Sequence, residues 1–193
     1  ILVSEIMLQQ TQADRVIPKY REFIRAFPNF KNLAKAPFRD VLSVWQGLGY
    51  NRRAQSLKKI SETVVSKYEG KLPKTHEELV QLPGIGPYTA GALRAFTWNE
   101  PVIFIETNIR TVYIHHFFPK RKKINDKELL PLIEKTLDRK NPREWYWALM
   151  DYGVMLKKKY SNPGRRSAHH TKQNRFEGSD RQIRGAIIKA LVE

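Results

Sequence analysis

Apolar residues recur at three-to-four spacing along nearly the whole chain, and that period commits it to helices. Val16-Ile17, Tyr20, Phe23-Ile24 and Phe27 keep the spacing until Pro28 stops it. Val41-Leu42, Val44-Trp45 and Leu48 make a second apolar face, ended by Gly47 and Gly49. Leu57, Ile60, Val64-Val65 and Tyr68 make a third, running to Gly70. Further helices are expected at 75–81, 86–97, 107–117, 126–138, 143–157 and 179–192. Only Val102-Ile103-Phe104-Ile105 reads as strand-like, and four residues behind a proline cannot build a sheet. The expected fold class is all-α. Residues 157–178, basic and weakly periodic, read as a surface loop or extended segment.

The 193 residues allow one large domain or two smaller lobes. With 35 Lys+Arg against 19 Asp+Glu the formal charge is +16, and an excess of this size favours polyanionic partners bound in a salt-dependent way. Zero cysteines exclude disulfides, thiolate zinc sites and a cysteine-ligated [4Fe–4S] cluster in this chain. No apolar run approaches the roughly 18–20 residues that span a bilayer, and no secretory signal is visible. The expected location is the cytoplasm or nucleoid if the source is bacterial, and otherwise wherever the DNA is.

Three constellations could carry chemistry. Leu82-Pro83-Gly84-Ile85-Gly86-Pro87-Tyr88-Thr89 couples a short helix to a second one opening at Pro87. Its glycines permit positive φ, and the amides at the new helix's start suit a phosphate; a plain helix–helix corner uses the same residues. Glu5 lies among Ile1-Leu2-Val3-Ser4-Glu5-Ile6-Met7-Leu8, where six of eight residues are apolar. Desolvation there raises a carboxyl pKa and suits a proton donor, and an ion pair with a basic side chain is the bland alternative. Glu106 precedes Thr107-Asn108 at a helix start, where Thr107 or Asn108 as N-cap explains the composition without chemistry.

Taken together, Glu5-Ile-Met-Leu-Gln-Gln-Thr-Gln12, Gly47-Leu-Gly-Tyr-Asn-Arg-Arg-Ala54, Leu82 to Thr89, Glu106-Thr-Asn108 and Ala148-Leu-Met-Asp-Tyr-Gly153 resemble, in order, the motifs of the adenine DNA glycosylases. These belong to the helix-hairpin-helix base-excision superfamily, and the resemblance covers about residues 1–156. It implies a two-lobed all-α fold with the active cleft between lobes. The expected division is 1–100, containing the helix-hairpin-helix at about 75–97, and 101–193, cysteine-free where relatives hold an iron–sulfur loop.

The resemblance implies a monofunctional hydrolase that releases adenine mispaired with guanine or 8-oxoguanine. Glu5 would protonate the departing adenine. Glu106 would stabilise the oxocarbenium-like sugar, although the family usually has Asp there, and a displacement of ~1 Å can cost ~10²-fold in rate. Tyr88 stands where bifunctional relatives carry a Schiff-base Lys, and would line the site with Asn108. Gln10 and Tyr50 would enter the duplex beside Leu8, Gln9 and Thr11. Leu82, Gly84, Gly86 and Thr89 would bind DNA, and Asp151 would lie near the base. Backbone carbonyls of Val80, Leu82 and Ile85 would hold a monovalent cation.

Lys157 falls at the first cysteine position of the absent cluster; Lys157–Lys159, Arg165 and Arg166 are expected to contact phosphates instead. No cofactor is required on this reading, and the partner is double-stranded DNA bound by a monomer. His115-His116 and His169-His170 do not read as a metal site, because helical neighbours point about 100° apart. The rival functions are a thymine/uracil mismatch glycosylase of the same superfamily and a catalytically silent DNA-binding paralogue.

Overall fold

The computed structural model describes residues 1–171 and 175–192. Its elements are α1 (Leu2–Leu8), α2 (Ala13–Ala26), α3 (Phe30–Lys35), α4 (Phe38–Trp45), α5 (Arg52–Lys67), α6 (His76–Val80), α7 (Pro87–Trp98), α8 (Thr107–Phe117), α9 (Asp126–Thr136), α10 (Pro142–Lys159), a 3-10 turn (Pro163–Arg166) and α11 (Asp180–Val192). The protein is all-α: the β pairing among the described residues is the isolated bridge Ile124–Ser167. No helix among them is long and apolar enough to cross a membrane.

The chain forms two compact units. The first holds Ile1–Thr89 and the described residues beyond 174; the second begins at Ala90 and ends before the tail. The sequence reading divides the chain at residue 100 and puts the tail in the second lobe. The structure instead divides it within α7. The physical reason is the apolar face of that helix: Leu93 and Phe96 are buried, and Phe96 meets Phe104 edge-on at 5.9 Å and stacks on Trp147.

In the first unit α1 packs on α2 and α5, α3 on α5, and α2 and α5 on α4. Ile6, Phe23, Val41, Trp45, Leu57, Ile60 and Val64 form its core, with Phe23 edge-on to Trp45 at 5.9 Å. Each such side chain contributes about 1.5–3 kcal/mol by leaving water. α3 escaped the periodic reading because it buries only Leu33; Asn29 starts it by accepting the Asn32 N–H. Leu48, read as part of the second helix, lies beyond α4 and is nevertheless buried.

In the second unit α8 is central and packs on α10, α9 and the 3-10 turn. Phe104, Ile109, Ile114, Ile133 and Tyr146 fill the core. Tyr146 donates from its hydroxyl to the Val102 carbonyl at 2.8 Å, which pins the extended approach to α8. Residues 157–171 are more regular than expected. α10 runs to Lys159, Pro163 and Gly164 are buried, and Ile124 exchanges backbone bonds with Arg166 and Ala168 at 3.1 and 2.9 Å. Residues 172–174 of the expected loop lie outside the described set.

Candidate functional site

In the first unit, the candidate residues of α1 and of the Gly47–Tyr50 corner are gathered by one side chain that the sequence reading passed over. Arg53, buried on α5, donates to the carbonyls of Ile6 (3.1 Å), Met7 (2.6 Å) and Gln9 (2.5 Å). Its other terminal nitrogen donates to Thr11 Oγ1 (2.9 Å) and to the carbonyls of Leu48 (3.2 Å) and Gly49 (3.1 Å). The planar fork of a guanidinium is what lets one residue tie two chain segments. Burial pulls its pKa down to about 10, with the nearby Tyr50 opposing and Arg15 assisting, so it stays charged at neutral pH.

Two non-glycine residues beside these spokes sit in left-handed backbone: Gln10 at φ +58° and Tyr50 at φ +48°. Such geometry costs of order 1–3 kcal/mol and persists where surrounding contacts enforce it. Trp45 adds a bond from Nε1 to the Gly49 carbonyl at 3.0 Å, and Arg15 donates to the Gly47 carbonyl. Leu8 is exposed at the end of α1, whereas Glu5, one turn earlier, is buried with 8% of its surface accessible.

The hairpin lies in the same unit. Thr75 caps α6 by accepting the Glu78 N–H, Leu82 and Ile85 are buried, and α7 opens at Pro87. Gly84 adopts φ +78°, and a Cβ there would meet Ser56 Oγ at 2.8 Å. Gly84 and Gly86 are exposed at the turn, Tyr88 is half-buried and Thr89 is buried. Gln9 Nε2 reaches the hairpin, donating to the Gly84 carbonyl at 3.5 Å and to Thr89 Oγ1 at 3.4 Å. Of the three carbonyls proposed to hold a cation, that of Leu82 accepts the Ile85 N–H at 3.1 Å; neutral carbonyl oxygens suit a hard cation.

In the second unit Glu106 is itself the N-cap of α8, where Thr107 or Asn108 was expected. Its Oε1 accepts the Ile109 N–H at 2.7 Å, and its Oε2 accepts from Asn108 Nδ2 at 3.3 Å. Asn108 Oδ1 in turn accepts from Lys157 Nζ at 2.6 Å. Burial pushes the Glu106 carboxyl up from 4.5; the Ile109 N–H, Lys157, the Asn108 N–H and Arg110 oppose this. Burial likewise lowers the Lys157 ammonium, opposed by Glu106. Arg110 is engaged by Asp126 in a two-pronged ion pair at 2.7 Å.

Lys157 thus faces Asn108 rather than solvent, and Arg166 closes the end of α8 by donating to the carbonyls of Ile114 and Phe118. Neither stands as an unengaged phosphate contact; Lys158, Lys159 and Arg165 are exposed. Asp151 is exposed on α10. Among the described residues no three His, Asp or Glu side chains group as metal ligands.

Known proteins with similar sequences bear on these residues. The family described as HhH-GPD superfamily base excision DNA repair protein matches residues 3–137. The adenine DNA glycosylase of Buchnera aphidicola subsp. Baizongia pistaciae is 38% identical over 165 residues, 83% of this chain and 46% of that protein. The one from Buchnera aphidicola subsp. Acyrthosiphon pisum is 35% identical over 160 residues, 81% of this chain and 45% of that protein. The chain therefore spans about half the length of these relatives. A solved thermostable thymine-DNA glycosylase superposes with a TM-score of 0.69 at 24% identity, covering 80% of this chain and 72% of its own. With the matched stretch containing Glu5, the Arg53-tied loops, the hairpin and Glu106, the chain belongs to the HhH-GPD superfamily of base excision DNA repair proteins.

Proposed function

We propose that this chain carries a monofunctional DNA glycosylase activity that hydrolyses the N-glycosidic bond of adenine mispaired with guanine or 8-oxoguanine. The observation that carries the reading is the burial of Glu5 on α1, within a stretch similar to adenine DNA glycosylases. A buried carboxyl on the helix that leads into the Gln9–Thr11 loop is placed to act as the general acid for a departing base.

In this mechanism duplex DNA binds first, its phosphates drawn by the +16 charge and by the hairpin from Leu82 through Gly84 and Gly86 to Thr89. A monovalent cation on the carbonyls of Val80, Leu82 and Ile85 would add positive charge beside that phosphate. The target base leaves the stack, and Gln10 and Tyr50, with Leu8, Gln9 and Thr11 around them, fill the duplex. Their left-handed backbone, fixed by Arg53, is already set, so insertion costs little reorganisation. Glu5 protonates the adenine, and the bond to the sugar breaks. The Glu106 carboxylate then stabilises the positive charge that develops on the sugar until water adds, with Tyr88, Asn108 and Asp151 around the reacting nucleotide. Tyr88 has no amine, so a Schiff base does not form at that position.

A second reading, a catalytically silent DNA-binding paralogue, is favoured by one observation: both Glu106 oxygens are engaged, Oε1 by the capping Ile109 N–H and Oε2 by the Asn108 side chain. Single-turnover base release on A·G, A·8-oxoguanine, T·G and U·G duplexes separates the readings. Adenine release by the wild type, lost in Glu5→Gln while duplex affinity stays within a few-fold, is the expected result. Release of thymine or uracil instead moves the substrate, and no release from any duplex favours the silent paralogue.

A further inference from the structure

Beyond residue 137, where the family match ends, α11 returns to the first unit and lies over the Tyr50 corner. Its contacts run along one helical face, Arg181, Arg184, Gly185 and Ile188, at spacings of three and four. That face closes a cavity of about 700 Å³ whose other wall carries Gln10, Tyr50, Arg52 and Arg53. Four guanidinium groups line it, and none of the lining residues is acidic.

The helix is docked by a mixed face in which Arg181 and Arg184 flank Gly185 and Ile188. Ile183, Ile187 and Leu191, its apolar stripe, are exposed at 57%, 54% and 71%. Arg181 Nη1 donates to the Tyr50 hydroxyl at 2.9 Å, and two cations approach the Tyr50 ring, Arg53 at 5.4 Å and Arg181 at 5.9 Å from its centroid. Arg181 also donates to the Arg175 carbonyl, and Arg184 meets Asp180 at 3.4 Å in a pair exposed on both sides, which adds little. The terminal nitrogens of Arg53 are engaged by carbonyls and the Thr11 hydroxyl and its Nε is buried, so it gives the cavity charge rather than accessible donors. Arg52, Arg181 and Arg184 bring three further positive charges to the cavity, and gathered cations of this kind raise the local concentration of anions.

We propose that this cavity is a DNA-backbone site, with Arg181 and Arg184 of α11 as its phosphodiester contacts beside the Tyr50 wedge. The inference rests on the DNA-repair reading above but not on catalysis, and binding alone tests it. Affinity for an undamaged duplex is measured across salt for the wild type, Arg181→Gln/Arg184→Gln, and Lys189→Gln, which removes a charge from α11 off the cavity face. Each phosphate contact contributes ~0.9 to the slope of log K against log salt, so the double variant should lower the slope magnitude by about 1–2 and weaken low-salt binding about tenfold. Lys189→Gln should leave the slope nearly unchanged. An unchanged slope and affinity in the double variant would overturn the site. So would tighter binding, which would make α11 a cover that competes with DNA for Tyr50. A wild type with no salt-dependent duplex binding would overturn both this site and the repair reading beneath it.

Discussion

The Glu106 carboxylate accepts the Ile109 N–H at 2.7 Å, so a glutamate begins α8 where shorter side chains are the usual caps. The same group is the proposed second carboxylate of the reaction, and the two duties can be separated by substitution. Glu106→Gln keeps an oxygen for the Ile109 N–H and removes the charge. It should cost under about 1 kcal/mol of stability yet lower single-turnover excision by about 10²-fold or more. Glu106→Asp should keep the cap and retain or raise activity. Equal rates for wild type and Gln at matched folded fraction would leave the cap as the only role.

The pH profile follows from the direction of the Glu106 shift. Burial raises its pKa above 4.5, and the proposed reaction uses the anion, so excision should fall as pH drops through that raised value. Lys157 opposes the shift. Lys157→Met should therefore move the acid limb to higher pH, and Lys157→Arg should restore most of it. A profile unmoved by Lys157→Met would mean that the 2.6 Å contact with Asn108 serves packing only.

Gly153 fixes how closely α10 approaches this cap. A Cβ there would stand 2.5 Å from the Asn108 carbonyl oxygen and 2.9 Å from its carbon, both backbone atoms that cannot swing away. Gly153→Ala should force α8 and α10 apart at a cost of about 1–3 kcal/mol. Excision at matched folded fraction should fall as well, because the residue displaced is the neighbour of Glu106. Thermal melts and single-turnover rates check the two effects separately.

Arg53→Lys keeps the charge and loses the fork. A compact ammonium cannot serve both the Gln9 and the Gly49 side, and each orphaned buried acceptor costs about 1–3 kcal/mol. Hydrogen exchange should quicken at residues 9–12 and 47–50 before the rest of the unit, with duplex affinity falling in parallel. Unchanged exchange there would show that the two loops hold themselves.

Much of this was legible in the sequence because it rests on local pattern. The apolar period with Pro28 and Gly70 as stops marked most helices, and the string from Leu82 to Thr89 marked the hairpin. The α8 cap was misplaced by one or two residues: Thr107 and Asn108 have the usual capping chemistry, while the structure uses the longer side chain of Glu106, which reaches forward to the Ile109 N–H. Arg53 was hidden for a different reason. Its partners are mostly main-chain carbonyls, which every residue has and no letter reports. Lys157 meets Asn108 across 49 positions, a pairing that no local window contains. The tail read correctly as a helix but not as a member of the first unit, since it docks by a mixed face with two arginines and leaves the stripe of Ile183, Ile187 and Leu191 exposed.

The Arg53 spokes also impose an order of assembly. Neither Gln10 nor Tyr50 has an intrinsic preference for left-handed backbone, so their loops lack their largest set of contacts until α5 delivers the guanidinium. The helices must condense first, and the two loops snap into place last. Substitutions at Gln10 or Tyr50 should therefore speed unfolding and leave the folding rate alone, with φ-values near zero, whereas Leu57 and Ile60 on α5 should report an early nucleus. The surface proposed to meet DNA is, on this account, the last part of its unit to exist and the first to come undone.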